Sequence, residues 1–140
     1  MTGQWVEIEF DCPAIGVQRA TWDGTPERFA SELAPARTFG FRKQYDELRA
    51  MGRARHVDPR SVIVLEGDGT VIGPGTPPTD GEFARHKLLD LLGDLYLFGG
   101  PPLGRMSARR PGHRANHQAV RQALEYGLLE RVTSVENTAT

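Results

Sequence analysis

Cysteine is almost missing from this chain, with Cys12 alone among 140 residues. That excludes an intramolecular disulfide and any zinc cluster built from several thiolates, so metal chemistry would have to rest on histidine and carboxylate. Lysine is nearly as scarce. Only Lys43 and Lys87 occur while arginine is used freely, a composition bias that makes Lys87 less ordinary as a surface choice. Charge of one sign is not in excess either: 17 Lys+Arg stand against 18 Asp+Glu, for a formal net charge of -1. No broad basic field exists to hold a nucleic acid or an anionic membrane, and any anion must be bound locally. Long apolar runs are absent too. The most leucine-rich stretch is interrupted by Asp90 and Asp94, and it is too short and too charged to span a bilayer. The first residues lack the basic, apolar, small-residue order of a secretion signal, so the expectation is a cytoplasmic protein with no transmembrane segment.

What is present reads as one soluble domain, 39% hydrophobic and 25% charged, with no internal repeat and no linker long enough to divide it. WVEIEF alternates Val6, Ile8 and Phe10 against Glu7 and Glu9, as a half-buried strand does, and VQRATW returns after the turn CPAIG. Thr25-Pro26 supplies a cap and a first-turn proline for a short helix through ERFASELA, stopped by Pro35. ARTFGF follows as a strand end, a brief helix runs from Arg42 to Met51 with Gly52 as terminator, and SVIVLEGDGTVIG forms a hairpin about Asp68-Gly69. After the loop GPGTPPTDG, Thr79 and Glu82 have capping-box spacing and open a long helix closed by Gly99-Gly100-Pro101-Pro102. LGRMSARR reads as a strand and HRANHQAVRQALEYG as a last helix, before a frayed tail at 135–140. This mixture without strict alternation predicts an α+β fold over 1–134. The expected form is a two-layer sandwich, a mainly antiparallel sheet with helices on one face.

The segment FARHKLLDLLGDLYLFGG, residues 83–100, carries the chemistry. At 100° per residue His86 and Asp90 share a face, Asp94 stays in the same sector, and Leu88, Leu91, Leu92 and Leu95 occupy the other side. An imidazole nitrogen and a carboxylate oxygen one turn apart can converge on a zinc ion at roughly 2.0 to 2.2 Å from each. They can equally form a plain i,i+4 ion pair, and the spacing alone does not choose. A catalytic zinc takes three protein ligands and an open position, so a further ligand would have to come from elsewhere. GHRAN at 112–116 offers His113 at a turn that opens a helix, where it could be a general acid, a ligand or a surface residue. His56 and His117 show no partner pattern and read as structural or exposed.

Three segments, LAPARTFGF at 33–41, FARHKLLDLLGDLYLFGGPPLGR at 83–105 and GHRAN at 112–116, resemble in the same order the second half of a zinc-dependent enzyme family. That family is UDP-3-O-acyl-N-acetylglucosamine deacetylase, a hydrolase that performs the committed step of lipid A biosynthesis. The similarity runs from about Pro13 to about Leu124. It implies a C-terminal-type α+β domain with an inserted strand-helix-strand unit at about 42–73, and an active site between two related domains. On this resemblance His86 and Asp90 would be ligands of Zn2+, and Lys87 would meet the anionic nucleotide-sugar part of the substrate. Thr38 would help hold the oxyanion, and Phe39 would lie against the substrate. His113 would stabilise the oxyanion and donate a proton to the leaving amine, with Asp94 keeping it charged and oriented.

The family's third zinc ligand, a histidine, and its glutamate base lie on the first domain, so the resemblance implies a partner half supplying both. Neither Glu82 nor His117 is taken as a substitute. The inserted unit carries GRARHVDPRS, with Arg53, Arg55, His56, Asp58 and Arg60, where the family forms an apolar passage for the acyl chain. Pro111 stands where the family has a serine before Gly-His, and Arg114 follows His113 where a small or apolar residue is usual. Two readings result. One is a deacetylase half that needs its partner; the other is a non-catalytic nucleotide-sugar-binding or regulatory module derived from that domain.

Overall fold

A computed structural model describes residues 3–53, 61–73 and 75–132. Its α+β class is the expected one. The order is β1 (Gln4–Cys12), β2 (Gly16–Trp22), α1 (Pro26–Arg28), β3 (Thr38–Phe41), α2 (Arg42–Ala50), β4 (Val62–Leu65), β5 (Val71–Ile72), α3 (Glu82–Tyr96), β6 (Gly104–Arg109) and α4 (His113–Glu125). The anticipated mainly antiparallel sheet is corrected to two mixed three-stranded sheets, ordered β2-β1-β6 and β3-β4-β5. β1 pairs antiparallel with β2 and parallel with β6, while β3 pairs parallel with β4 and β4 antiparallel with β5. The parallel connection β3-α2-β4 needs a crossover, which is what the helix after Phe41 provides. His56 and the segment Arg55 to Arg60 lie outside the described residues, as does the tail at 135–140.

Alternation decides which face of the first sheet is buried. Val6 and Ile8 on β1 and Ala20 and Trp22 on β2 join Leu88, Leu91, Leu92 and Leu95 of α3 and Val120 of α4 in the main core. The other face carries Glu7, Glu9, Arg19, Arg105 and Arg109, with Glu9 paired to Arg19 directly across the strands and Glu7 to Arg105 on the diagonal, both at 3.0 Å. A smaller core of Ile63, Leu65 and Phe83 lies under the second sheet, with Ile15, Phe39 and Phe41 packed against it. α3 therefore touches both cores, through its leucines on one side and Phe83 on another. Among the described residues no helix is long and apolar enough to cross a membrane.

Local chemistry sets the ends of these elements, with two departures from expectation. Thr25 caps α1 by accepting from the Arg28 amide, and Pro26 takes the first position, but regular α-helix stops at Arg28. Phe29–Leu33 continues as a wider π turn, its Ala34 amide donating to the Phe29 carbonyl before Pro35 ends the run. At α3 the capping residue is Gly81, at φ 72, and not Thr79. The Glu82 carboxylate does reach back to accept the Thr79 amide at 3.0 Å, which is one half of a capping box. Gly69, at φ 89, makes the hairpin turn between β4 and β5, and its Cα faces the Ala14 carbonyl so closely that no side chain fits.

Candidate active site

α3 presents the candidate residues along one face because its leucines commit the opposite face to the core. His86 and Asp90 sit one turn apart, with side chains 22% and 29% exposed, so neither is lost to the core nor fully solvated. The His86 Nδ1 donates to the Ala36 carbonyl at 3.0 Å, which leaves Nε2 as the free nitrogen; it lies 3.5 Å from Asp90 Oδ1. That separation is long for a hydrogen bond. It matches the edge of about 3.4 Å between two ligands held at about 2.1 Å from a tetrahedral centre. A backbone carbonyl on the far nitrogen is the usual support of a metal-binding imidazole. The donors therefore suit zinc in type and spacing. Among the described residues no group of three His, Cys, Asp or Glu side chains forms that could hold a metal, so the arrangement offers half of a ligand shell.

One turn further along, Asp94 is the centre of a second cluster. α4 packs against α3, and its first turns aim three side chains at this carboxylate. His113 Nδ1 lies 2.7 Å from Oδ2 and 2.9 Å from Oδ1, Asn116 Nδ2 donates to Oδ2 at 2.9 Å, and His117 Nε2 stands 3.5 Å from Oδ1. The Asp94 side chain is only 12% exposed. Burial pushes its carboxyl up, and the hydrogen bonds from Asn116 and His113 outweigh this and hold it below the usual range. His113, by contrast, is 68% exposed, with its Nδ1 committed to Asp94, so its other nitrogen is accessible to a bound molecule. The structure thus brings His113 and Asp94 together as expected. His117, read as structural or exposed, meets Asp94 and packs edge-on against Phe98 at 5.7 Å. Asn116, buried at 7%, is the member not foreseen. Spacing could have revealed both, since positions 113, 116 and 117 share one helix face.

Lys87 and Phe39 border the same helix. The Lys87 ammonium lies 5.2 Å from the Phe10 ring centroid, and Phe10 packs on Phe39 at 5.9 Å. Phe39 also meets Phe83 at 4.7 Å and Phe41 at 5.9 Å, so it forms part of an aromatic wall. Such a wall beside one cation suits a ligand with an anionic group and a flat or apolar part. Thr38 begins β3, two residues beyond the carbonyl that holds His86, and is half-buried. The Glu82 side chain is 5% exposed and its carboxylate is taken up by Arg37 and Thr79. Burial raises its carboxyl, but the Arg37 guanidinium and the Thr79 and Arg37 amides bring it down to about 2.

With that geometry in place, the relatives can be compared. A profile of the LpxC family, UDP-3-O-acyl N-acetylglycosamine deacetylase, matches residues 4–125. The chain belongs to this deacetylase family. UDP-3-O-acyl-N-acetylglucosamine deacetylases of Brucella ovis, Brucella canis and Brucella melitensis biotype 2 are each 42% identical to it over 119 residues. The aligned part is 85% of this chain and 42% of each relative, so the chain spans about half the length of these deacetylases. His86, Asp90, Asp94 and His113 all fall inside the family match, as do Thr38, Phe39 and Lys87.

Proposed function

We propose that this chain is the C-terminal half of a zinc-dependent deacetylase acting on UDP-3-O-acyl-N-acetylglucosamine in lipid A biosynthesis. The observation that carries this reading is the sharing of one helix by two kinds of site. α3 holds the His86–Asp90 donor pair and, a turn later, the carboxylate that orients His113. Zinc, when bound, supplies Lewis acidity and activates water near neutral pH. His86 and Asp90 are the residues that would hold it.

The remaining roles fall to groups in place around the helix. Asp94 orients the His113 imidazole, so that His113 can stabilise negative charge on the amide oxygen and pass a proton to the departing amine. Thr38 adds a hydroxyl donor toward the same oxygen. Lys87 meets the diphosphate of the nucleotide sugar, and Phe39 lines its approach. The base and the third donor come from a partner half that carries the family's glutamate and histidine.

The test is reconstitution. The chain is mixed with the first-domain polypeptide of a family member, and amine release from UDP-3-O-acyl-N-acetylglucosamine is followed. Activity is expected in the mixture and not in the chain alone, and Asp94→Asn should lower it by about 10²- to 10⁴-fold. Turnover by the solitary chain at an ordinary enzymatic rate would show that a base within these 140 residues had been overlooked. The second reading is a nucleotide-sugar-binding module, for which the Lys87 ammonium beside the Phe10 and Phe39 rings would serve without any metal. A mixture that binds the substrate and never hydrolyses it would establish that reading instead.

A further inference from the structure

Glu82 is one helical turn before His86, so both project from the same face of α3. They reach across to one and the same peptide unit, that between Ala36 and Arg37. The Arg37 amide donates to Glu82 Oε2 at 2.9 Å, and the Ala36 carbonyl accepts from His86 Nδ1 at 3.0 Å. A peptide unit is planar, with its N–H and C=O pointing in opposite directions, so fixing one end fixes the other. We propose that Glu82 is a positioning residue for His86, setting the imidazole's orientation and tautomer through the Ala36–Arg37 peptide.

Glu82 is held firmly enough for this. Its side chain is 5% exposed and also accepts from Arg37 Nε at 2.8 Å, from Arg37 Nη2 at 3.0 Å and from the Thr79 amide at 3.0 Å. The guanidinium goes on to the Thr76 and Pro77 carbonyls at 3.0 and 3.2 Å, tying in the segment before α3. A buried ion pair is a poor device for stability alone, because apolar residues of similar volume often do as well. What an apolar pair could not do is grip the Arg37 amide. With Nδ1 donating to the carbonyl, Nε2 is the nitrogen left to face Asp90. The functional weight of this arrangement rests on the reading of His86 as a metal donor, whereas the geometry does not.

Nitrogen-15 spectra of the histidine rings in the metal-free full chain, recorded above the imidazole titration range, distinguish a protonated ring nitrogen from an unprotonated one. Three proteins are compared. Unaltered chain should show His86 as a single tautomer protonated at Nδ1, and Glu82→Gln, which keeps an acceptor, should preserve it. The double variant Arg37→Met with Glu82→Met, packed but without the acceptor, should lose it and populate both tautomers. Titration with zinc alone should show an affinity about 10- to 100-fold lower in the double variant. An unchanged ring spectrum in the double variant, or protonation at Nε2 in the unaltered chain, would overturn the proposal. If the unaltered chain takes up no zinc, the metal reading of His86 falls, while the ring spectra still decide the role of Glu82.

Discussion

Replacing Arg37 by methionine would leave the Glu82 carboxylate buried against the Thr79 and Arg37 amides and the Thr79 hydroxyl, and the cost should depend on pH in a defined way. Glu82 is held at about 2 against an ordinary value of 4.5, which corresponds to about 3 kcal/mol of folding stability. A carboxyl held below its unfolded value contributes fully only where the unfolded form is ionised. The contribution is therefore complete above about pH 4.5 and disappears as the pH falls toward 2. At pH 3 only about 1 kcal/mol of it survives. Urea unfolding followed by the fluorescence of Trp5 and Trp22 should thus show Arg37→Met destabilised by at most about 3 kcal/mol at pH 7 and at most about 1 kcal/mol at pH 3, since the Thr79 and Arg37 amides keep their share. Other acid-sensitive carboxylates, such as Asp94 and Asp23, are common to both proteins and cancel in the difference. An equal difference at the two pH values would mean that lost packing, and not the ion pair, accounts for the effect.

Two glycines give further tests by urea unfolding at neutral pH. Gly93 lies exposed in the middle of α3, and a Cβ there would meet no atom within 4 Å; Gly93→Ala should stabilise the chain by up to about 1 kcal/mol, and a loss would mean that the helix is not regular at that point. Gly69→Ala should destabilise by on the order of 2 kcal/mol, because φ is +89 and the new methyl would run into the Ala14 carbonyl. A change under about 0.5 kcal/mol would show that the turn between β1 and β2 yields freely.

The parts of the fold that were legible in the sequence are those written in short range. Alternation gave β1 and β2, Asp68-Gly69 gave the hairpin, and the spacing of Leu88, Leu91, Leu92 and Leu95 fixed which side of α3 is buried. The parallel pairings were not legible, since Gln4 lies beside Gly104 and Thr38 beside Val62, and no local pattern names so distant a partner. Nor was the π turn at Phe29–Leu33, because its residues are ordinary helix formers and no local pattern marks the change of winding. In the candidate site, the placement of His86, Asp90 and Asp94 on one face followed from the helix period. That Asp94 would gather Asn116 and His117 as well as His113 depends on how α4 crosses α3, which is a tertiary matter. Glu82 illustrates the same limit. Read as a capping residue, it turned out to be the partner of Arg37, 45 positions away.

The parallel ladder between β1 and β6 also has a consequence for the order in which the molecule assembles. β1 is flanked by β2, its immediate successor, and by β6, which arrives about a hundred residues later. Closing a loop of that length is slow compared with forming a hairpin or a helix. α4 follows β6 directly through Arg110, Pro111 and Gly112, and His113 meets Asp94 across only 19 positions, so this contact is local by comparison. A chain that has folded only as far as α3 has a hydrophobic helix, a donor pair and a solitary carboxylate. The α3–α4 pairing, with its His113–Asp94 contact, is thus free to assemble ahead of the long-range β1–β6 ladder that completes the first sheet.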